Sequence, residues 1–211
     1  MLGKSHVVTG ALSWATVVGP VAYVTDAHYT PVAVGGGLLL GAIGGIMPDI
    51  DAPGALITRG WLPGMNKNIL IKAFALIISI PFRLMSHFVH GVLGHRGGTH
   101  SLAMTAVVSL LTALLVFTFQ GPLWIVEALT LGILAHIASD SVTKSGCPWF
   151  WPFSDTHHRV PVFFGYITTG TKKEEVIRYL VFWPLLILFT VVAIYHLEAV
   201  QNLVSVYHAN F

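Results

Sequence analysis

His136 and Asp140 stand four residues apart at the end of an apolar run, so on a helix their side chains lie one above the other and can share one metal ion. A carboxylate at a membrane helix centre costs ~2.5–3.5 kcal/mol, and ionisable residues in such settings mark sites. Three more motifs sit at the edges of apolar stretches: His6, Pro48-Asp49-Ile50-Asp51, and His95-Arg96-Gly97-Gly98-Thr99-His100-Ser101. Carboxylates and neutral imidazoles are the donors of a hydrolytic metal centre, which keeps one coordination position for a water whose pKa the ion lowers. Asp49, His100, His136 and Asp140 are the first choices as ligands, and His6 is a further ligand or a general acid. Asp51 is expected to orient a ligand or act as base, and His95 to serve as ligand or acid–base group. Arg96 offers a planar fork suited to a phosphate, and His158 with Arg159 forms a candidate clamp for the same group. This donor mixture suits a divalent ion, zinc first, with manganese or iron as alternatives.

Each motif also admits a plainer reading. Asp49 and Asp51 can be solvated acids of an interfacial turn, Thr99 or Ser101 the N-cap of the next helix, and Asp140 a cap beside an interior histidine. Residues 157–159 can be a solvated loop, and Ser101 beside His100 has poor geometry for a nucleophile. These readings explain the motifs singly but not their gathering.

The elements that must position them are membrane helices. Charged residues make up 9% of the chain against 55% hydrophobic, whereas soluble domains carry about 25% charged residues. Each span needs ~20 residues, so 211 residues leave room for a single integral membrane domain, 1–211, and little else. Apolar runs occur at 7–25, 31–47, 69–93, 101–119, 122–143 and 177–197. The first lacks a small-residue cleavage site and reads as a span, not a signal peptide. The run at 69–93 carries Lys72, Arg83, His87 and His90 with Pro81 among them, which predicts an interfacial or re-entrant helix. The expected fold is therefore all-α, a polytopic membrane bundle of about five crossings plus that one helix.

With the N-terminus cytoplasmic, five crossings place all eleven Lys and Arg residues on the inner face, in line with the positive-inside bias. The same topology gathers every polar motif on that face. A sixth crossing would put Asp49 and Asp51 opposite His100 and Asp140. The glycines at 35–37, 41, 44 and 45 predict close helix packing, and the single Cys147 reads as a small apolar filler. A net charge of +2 is too small to suggest direct nucleic-acid binding. The expected partners are membrane lipid and a lipid-like or phosphorylated substrate. A non-catalytic alternative is a membrane regulator or scaffold with a structural polar cluster and a protein partner. A carrier or channel would instead spread polar residues to both faces.

Ser5-His6, Pro48-Asp49-Ile50-Asp51, the 95–101 motif and His136 with Asp140 occur in an order that resembles the YdjM-type inner-membrane proteins, over nearly the whole chain. That family is described as LexA-binding, membrane-bound and metal-dependent hydrolases. The resemblance implies a multi-pass protein of the bacterial inner membrane. The family in turn is similar to the zinc-dependent phospholipase C and P1 nuclease group, which implies phosphoester hydrolysis. Only His136 and Asp140 match that group's His-x-x-x-Asp pair by spacing.

Overall fold

The computed structural model describes residues 1–52, 98–161, 165–197 and 200–201, together with positions 80 and 91. The expected non-crossing segment 69–93 thus lies almost wholly outside the described residues, as do His87 and His90. Among the described residues the architecture is all-helical. Two isolated bridges, Thr143 with Ile167 and Cys147 with His158, tie together the loop after the fourth helix.

Helix α1 runs from Gly3 to Thr25, and its turn at Val17–Val21 is a π-turn holding Pro20. Proline has no N–H and its ring displaces the carbonyl four residues back, so a widened turn lets the helix continue. Helix α2, Pro31–Ile46, begins with Thr30 accepting from the Ala33 amide and Pro31 in the first turn, then tightens into a 3-10 turn at Pro48–Asp51. A second 3-10 turn, Gly98–His100, precedes α3 at Leu102–Thr118, where Ser101 caps the helix by accepting from the Met104 amide. Helix α4 spans Trp124–Ser141. Helix α5 spans Lys172–Tyr195, with a π-turn at Arg178–Phe182 just ahead of Pro184. Helices α1, α5 and the continuous Pro31–Asp51 stretch are long and apolar enough to cross a membrane, whereas α3 is shorter.

Helices α1, α2 and α4 pack against one another in pairs, α3 lies on α4, and α5 lies on α1. The central three meet backbone to backbone. A Cβ on Gly10 or Gly132 would run into the Gly41 carbonyl, and one on Gly44 into that of Leu129. Without a hydrophobic drive between helices in lipid, such close approach supplies the contact energy. Trp14, fully buried, fills the space over Gly37 and donates its indole N–H to the Ala33 carbonyl at 3.1 Å. The outer helices instead expose apolar side chains, among them Leu110, Leu114 and Phe117 on α3 and Leu180, Ile187 and Val191 on α5. Such faces suit hydrocarbon.

Candidate metal centre

His6 lies near the start of α1, Asp49 and Asp51 follow α2, His100 precedes α3, and His136 and Asp140 end α4. Contacts among these residues place all of these helix ends together at one end of the bundle. His6, Asp51, His100, His136 and Asp140 are buried, while the Asp49 side chain keeps 20% of its surface exposed. Asp49 therefore marks the open side of the cluster.

Four donor atoms, two imidazole nitrogens and two carboxylate oxygens, alternate in a ring. Nε2 of His100 lies 3.6 Å from Asp49 Oδ1 and 3.8 Å from Asp140 Oδ2, and Nε2 of His136 lies 3.8 Å from each of the same two oxygens. These gaps are too long for hydrogen bonds. Ligands about 2.0–2.1 Å from a tetrahedral ion stand about 3.4 Å apart, so each of these four contacts is close to a ligand–ligand spacing. Both Nε2 atoms are buried with no hydrogen-bond partner among the described residues, an expensive state unless something else meets the lone pairs.

The far side of each ring fixes which nitrogen carries the proton. His136 Nδ1 lies 2.6 Å from the Gly45 carbonyl, an acceptor only, so Nδ1 donates and Nε2 keeps its lone pair. The Thr99 hydroxyl donates to Asp51 Oδ2 at 2.8 Å and lies 2.9 Å from His100 Nδ1, from which it accepts. His6 Nδ1 lies 3.0 Å from the Ser139 hydroxyl, whose own proton goes to the His136 carbonyl. His100 and His136 thus turn lone-pair Nε2 atoms toward the carboxylates, and outer partners that hold ligating rings in this tautomer are a regular part of metal sites, whereas His6 Nε2 faces two acceptors, the Met1 carbonyl and Asp140 Oδ1, and donates there.

Asp140 faces two groups at once. Its Oδ2 belongs to the four-atom set, while Oδ1 is hydrogen-bonded to the α-amino group of Met1 and lies 3.3 Å from His6 Nε2. His6 Nε2 is also 3.1 Å from the Met1 carbonyl, and its ring stacks on His136 with centroids 3.7 Å apart. Among the described residues two ligand triads can be traced, His6 with His136 and Asp140, and Asp49 with His100 and His136. His136 is common to both.

Several supports carry no motif in the sequence. The Cys147 thiol, buried completely, donates to the His100 carbonyl at 2.9 Å, so this residue does more than fill space. Buried Glu174 accepts from the Leu2 amide, the Ser5 hydroxyl and the Gly170 amide at 2.6, 2.7 and 2.8 Å, and Arg178 reaches Ser5 at 3.3 Å. This network pins the start of α1, and with it His6, to α5. Of the other expected residues, His95 and Arg96 lie outside the described residues. His158 pairs its backbone with Cys147 and sets its ring edge-on to Phe150, and Arg159 is exposed. Among the described residues no hydrogen bond, ion pair or ring contact joins either of them to the cluster.

A helical membrane bundle with a buried His/Asp cluster at one end is the class these features define. The chain matches the YdjM inner membrane protein family over residues 1–200 and belongs to it. It is 40% identical over 110 residues to the inner membrane protein YdjM of Escherichia coli (strain K12), covering 51% of this chain and 44% of that one. It is 39% identical over 79 residues to the inner membrane protein YbcI of the same organism, covering 33% and 43%. The uncharacterized protein YvsG of Bacillus subtilis (strain 168) is 26% identical over 181 residues, covering 84% and 87%. The chain thus spans less than half the length of YdjM and of YbcI. No solved structure matches it.

Proposed function

We propose that the protein is a membrane-embedded, metal-dependent hydrolase acting on a phosphoester or related bond of a lipid-like substrate, at the cytoplasmic face of the bacterial inner membrane. The single observation that supports this most is the convergence of two unpartnered imidazole nitrogens and two carboxylate oxygens at near-ligand spacing. Asp49, His100, His136 and Asp140 are the residues to hold the ion, zinc first, with manganese or iron accepted by the same donors. His6 with Asp140 Oδ1 offers a place for a second. A bound divalent ion supplies a Lewis acid and lowers the pKa of a water molecule.

The chain's own residues supply the rest. Asp51 holds the Thr99 hydroxyl, which holds His100, so the charge on Asp51 makes His100 a better donor without touching the ion. Asp49, one-fifth of whose side chain is exposed, stands where a substrate oxygen or a proton in transit can reach it. Arg96, three residues before Thr99 in the sequence, is the group to neutralise the anion, with His158 and Arg159 as a second clamp. A site set at the end of lipid-facing helices suits a substrate delivered from the bilayer.

The test is hydrolysis of mixed phosphoester lipids in micelles by purified protein. Activity after loading with zinc, manganese or iron, abolished by a chelator and by Asp49→Asn, is expected. Protein that binds the ion but never exceeds the chelated control overturns the catalytic reading and favours a regulator or scaffold with a closed structural site.

A further inference from the structure

Helices α4 and α5 both rest on α1, and between them the structure holds a cleft of about 450 Å³. On α4 the wall is Ala135, Ala138 and Ser139, residues at i, i+3 and i+4 that share one helix face and are all small. On α5 it is Ile177, Val181 and Phe182. Among the described residues no wall side chain is charged, and the volume lies in the ~300–1,000 Å³ range of clefts that hold one small molecule. A cleft with so few polar groups holds water poorly.

Its surroundings say what fills it. Two wall residues belong to the polar cluster as well: the Ser139 hydroxyl lies 3.0 Å from His6 Nδ1, and Met1 bonds Asp140 through its amino group. The outer side is formed by α5, whose neighbouring Leu180, Trp183 and Ile187 are exposed and apolar. The cleft therefore runs from a surface made for hydrocarbon to the metal-ligand cluster. A wholly apolar guest would leave the cluster end unmatched, and a polar one would bury its groups against alanine, isoleucine and phenylalanine.

We infer that this cleft binds one hydrocarbon chain of an anionic, phosphate-bearing amphiphile, with the headgroup at the Asp140 and His6 end. The placement of the headgroup rests on the hydrolase reading above, whereas the chain site rests on the cleft itself. The small side chains of Ala135 and Ala138 are what keep the space open. Ala138 is exposed and lines the cleft, so a large side chain at this position takes up the space that a chain would occupy.

The experiment uses the full chain in nanodiscs and hexadecyl phosphate carrying a diazirine at the chain end, with adducts mapped by peptide mass spectrometry. Labelling of 135–142 and 177–182 that unlabelled hexadecyl phosphate competes away is expected, with Ala138→Trp reducing it about tenfold or more. Labelling at Leu110 and Leu114 on the outer face of α3 should be neither competed nor changed. Labelling at the cleft that resists competition like that on α3, or persists in Ala138→Trp, overturns the proposal. So does cross-linking to a second copy in place of the lipid adduct. Turnover assayed on the same samples separates the two readings: competed labelling without turnover removes the hydrolase and keeps the chain site, and turnover without competed labelling does the reverse.

Discussion

The Gly45 carbonyl oxygen lies 2.6 Å from His136 Nδ1, and the same glycine is one of the points where α2 touches α1. A Cβ at position 45 would strike the His6 carbonyl, so the residue that sets the His136 tautomer is also the one that lets His6 approach. Close packing and ligand orientation are one device here. Gly45→Ala is expected to destabilise the protein by about 1–3 kcal/mol through overpacking. It should also lower metal affinity by displacing His136. Thermal unfolding in detergent beside metal titration checks both; a change in stability with unaltered affinity would uncouple them.

Thr99 offers a cleaner test of outer support, because its hydroxyl bridges Asp51 and His100, whose own Oδ2 and Nδ1 stand 3.7 Å apart. Thr99→Val keeps the shape and removes the link, and should weaken metal binding about 10–100-fold. Thr99→Ser should restore most of it. Equal affinity in all three proteins would show that Asp51 acts by another route.

Much of this arrangement was legible in the sequence, and the reason is topological. His6, Asp49, His100, His136 and Asp140 alternate between the starts and ends of successive apolar runs, so an antiparallel bundle brings them to one end. The glycines of α2 likewise announced close packing. What could not be read was the orientation of each ring, since a hydrogen bond such as that from His136 to Gly45 depends on register between helices. Thr99 is a case in point: spacing made it as good an N-cap as Ser101, yet Ser101 caps α3 and Thr99 turns to Asp51. Glu174 and Cys147 carried no signal, because one of two adjacent acids in a charged stretch and a lone cysteine look ordinary until partners 172 and 47 residues away are placed beside them.

Glu174 should matter for stability more than its place in a charged stretch suggests. Glu174→Gln removes the charge from three hydrogen bonds that hold Leu2, Ser5 and Gly170, and is expected to cost about 2 kcal/mol or more. Chemical unfolding in mild detergent measures this. Stability equal to wild type would mean the start of α1 is held elsewhere.

Topology makes a separate prediction. With a cytoplasmic N-terminus, Lys4→Cys should react with a membrane-impermeant maleimide in inside-out vesicles and not in intact spheroplasts. Cys147 is fully buried, so the native background is low. Labelling of Lys4→Cys from outside would invert the topology and put the cluster on the other face.

Metal content of the detergent-purified protein, measured by mass spectrometry beside a folded His136→Ala, Asp140→Ala double variant, bears most directly on the cluster itself. His136 belongs to both ligand triads and Asp140 to one of them, so the double variant breaks the centre whichever triad is filled. About one or more transition-metal ions per chain are expected in the wild type, lost in the variant. No metal in either protein after zinc, manganese and iron have been offered would contradict this and leave the cluster as a hydrogen-bonded network within the bundle.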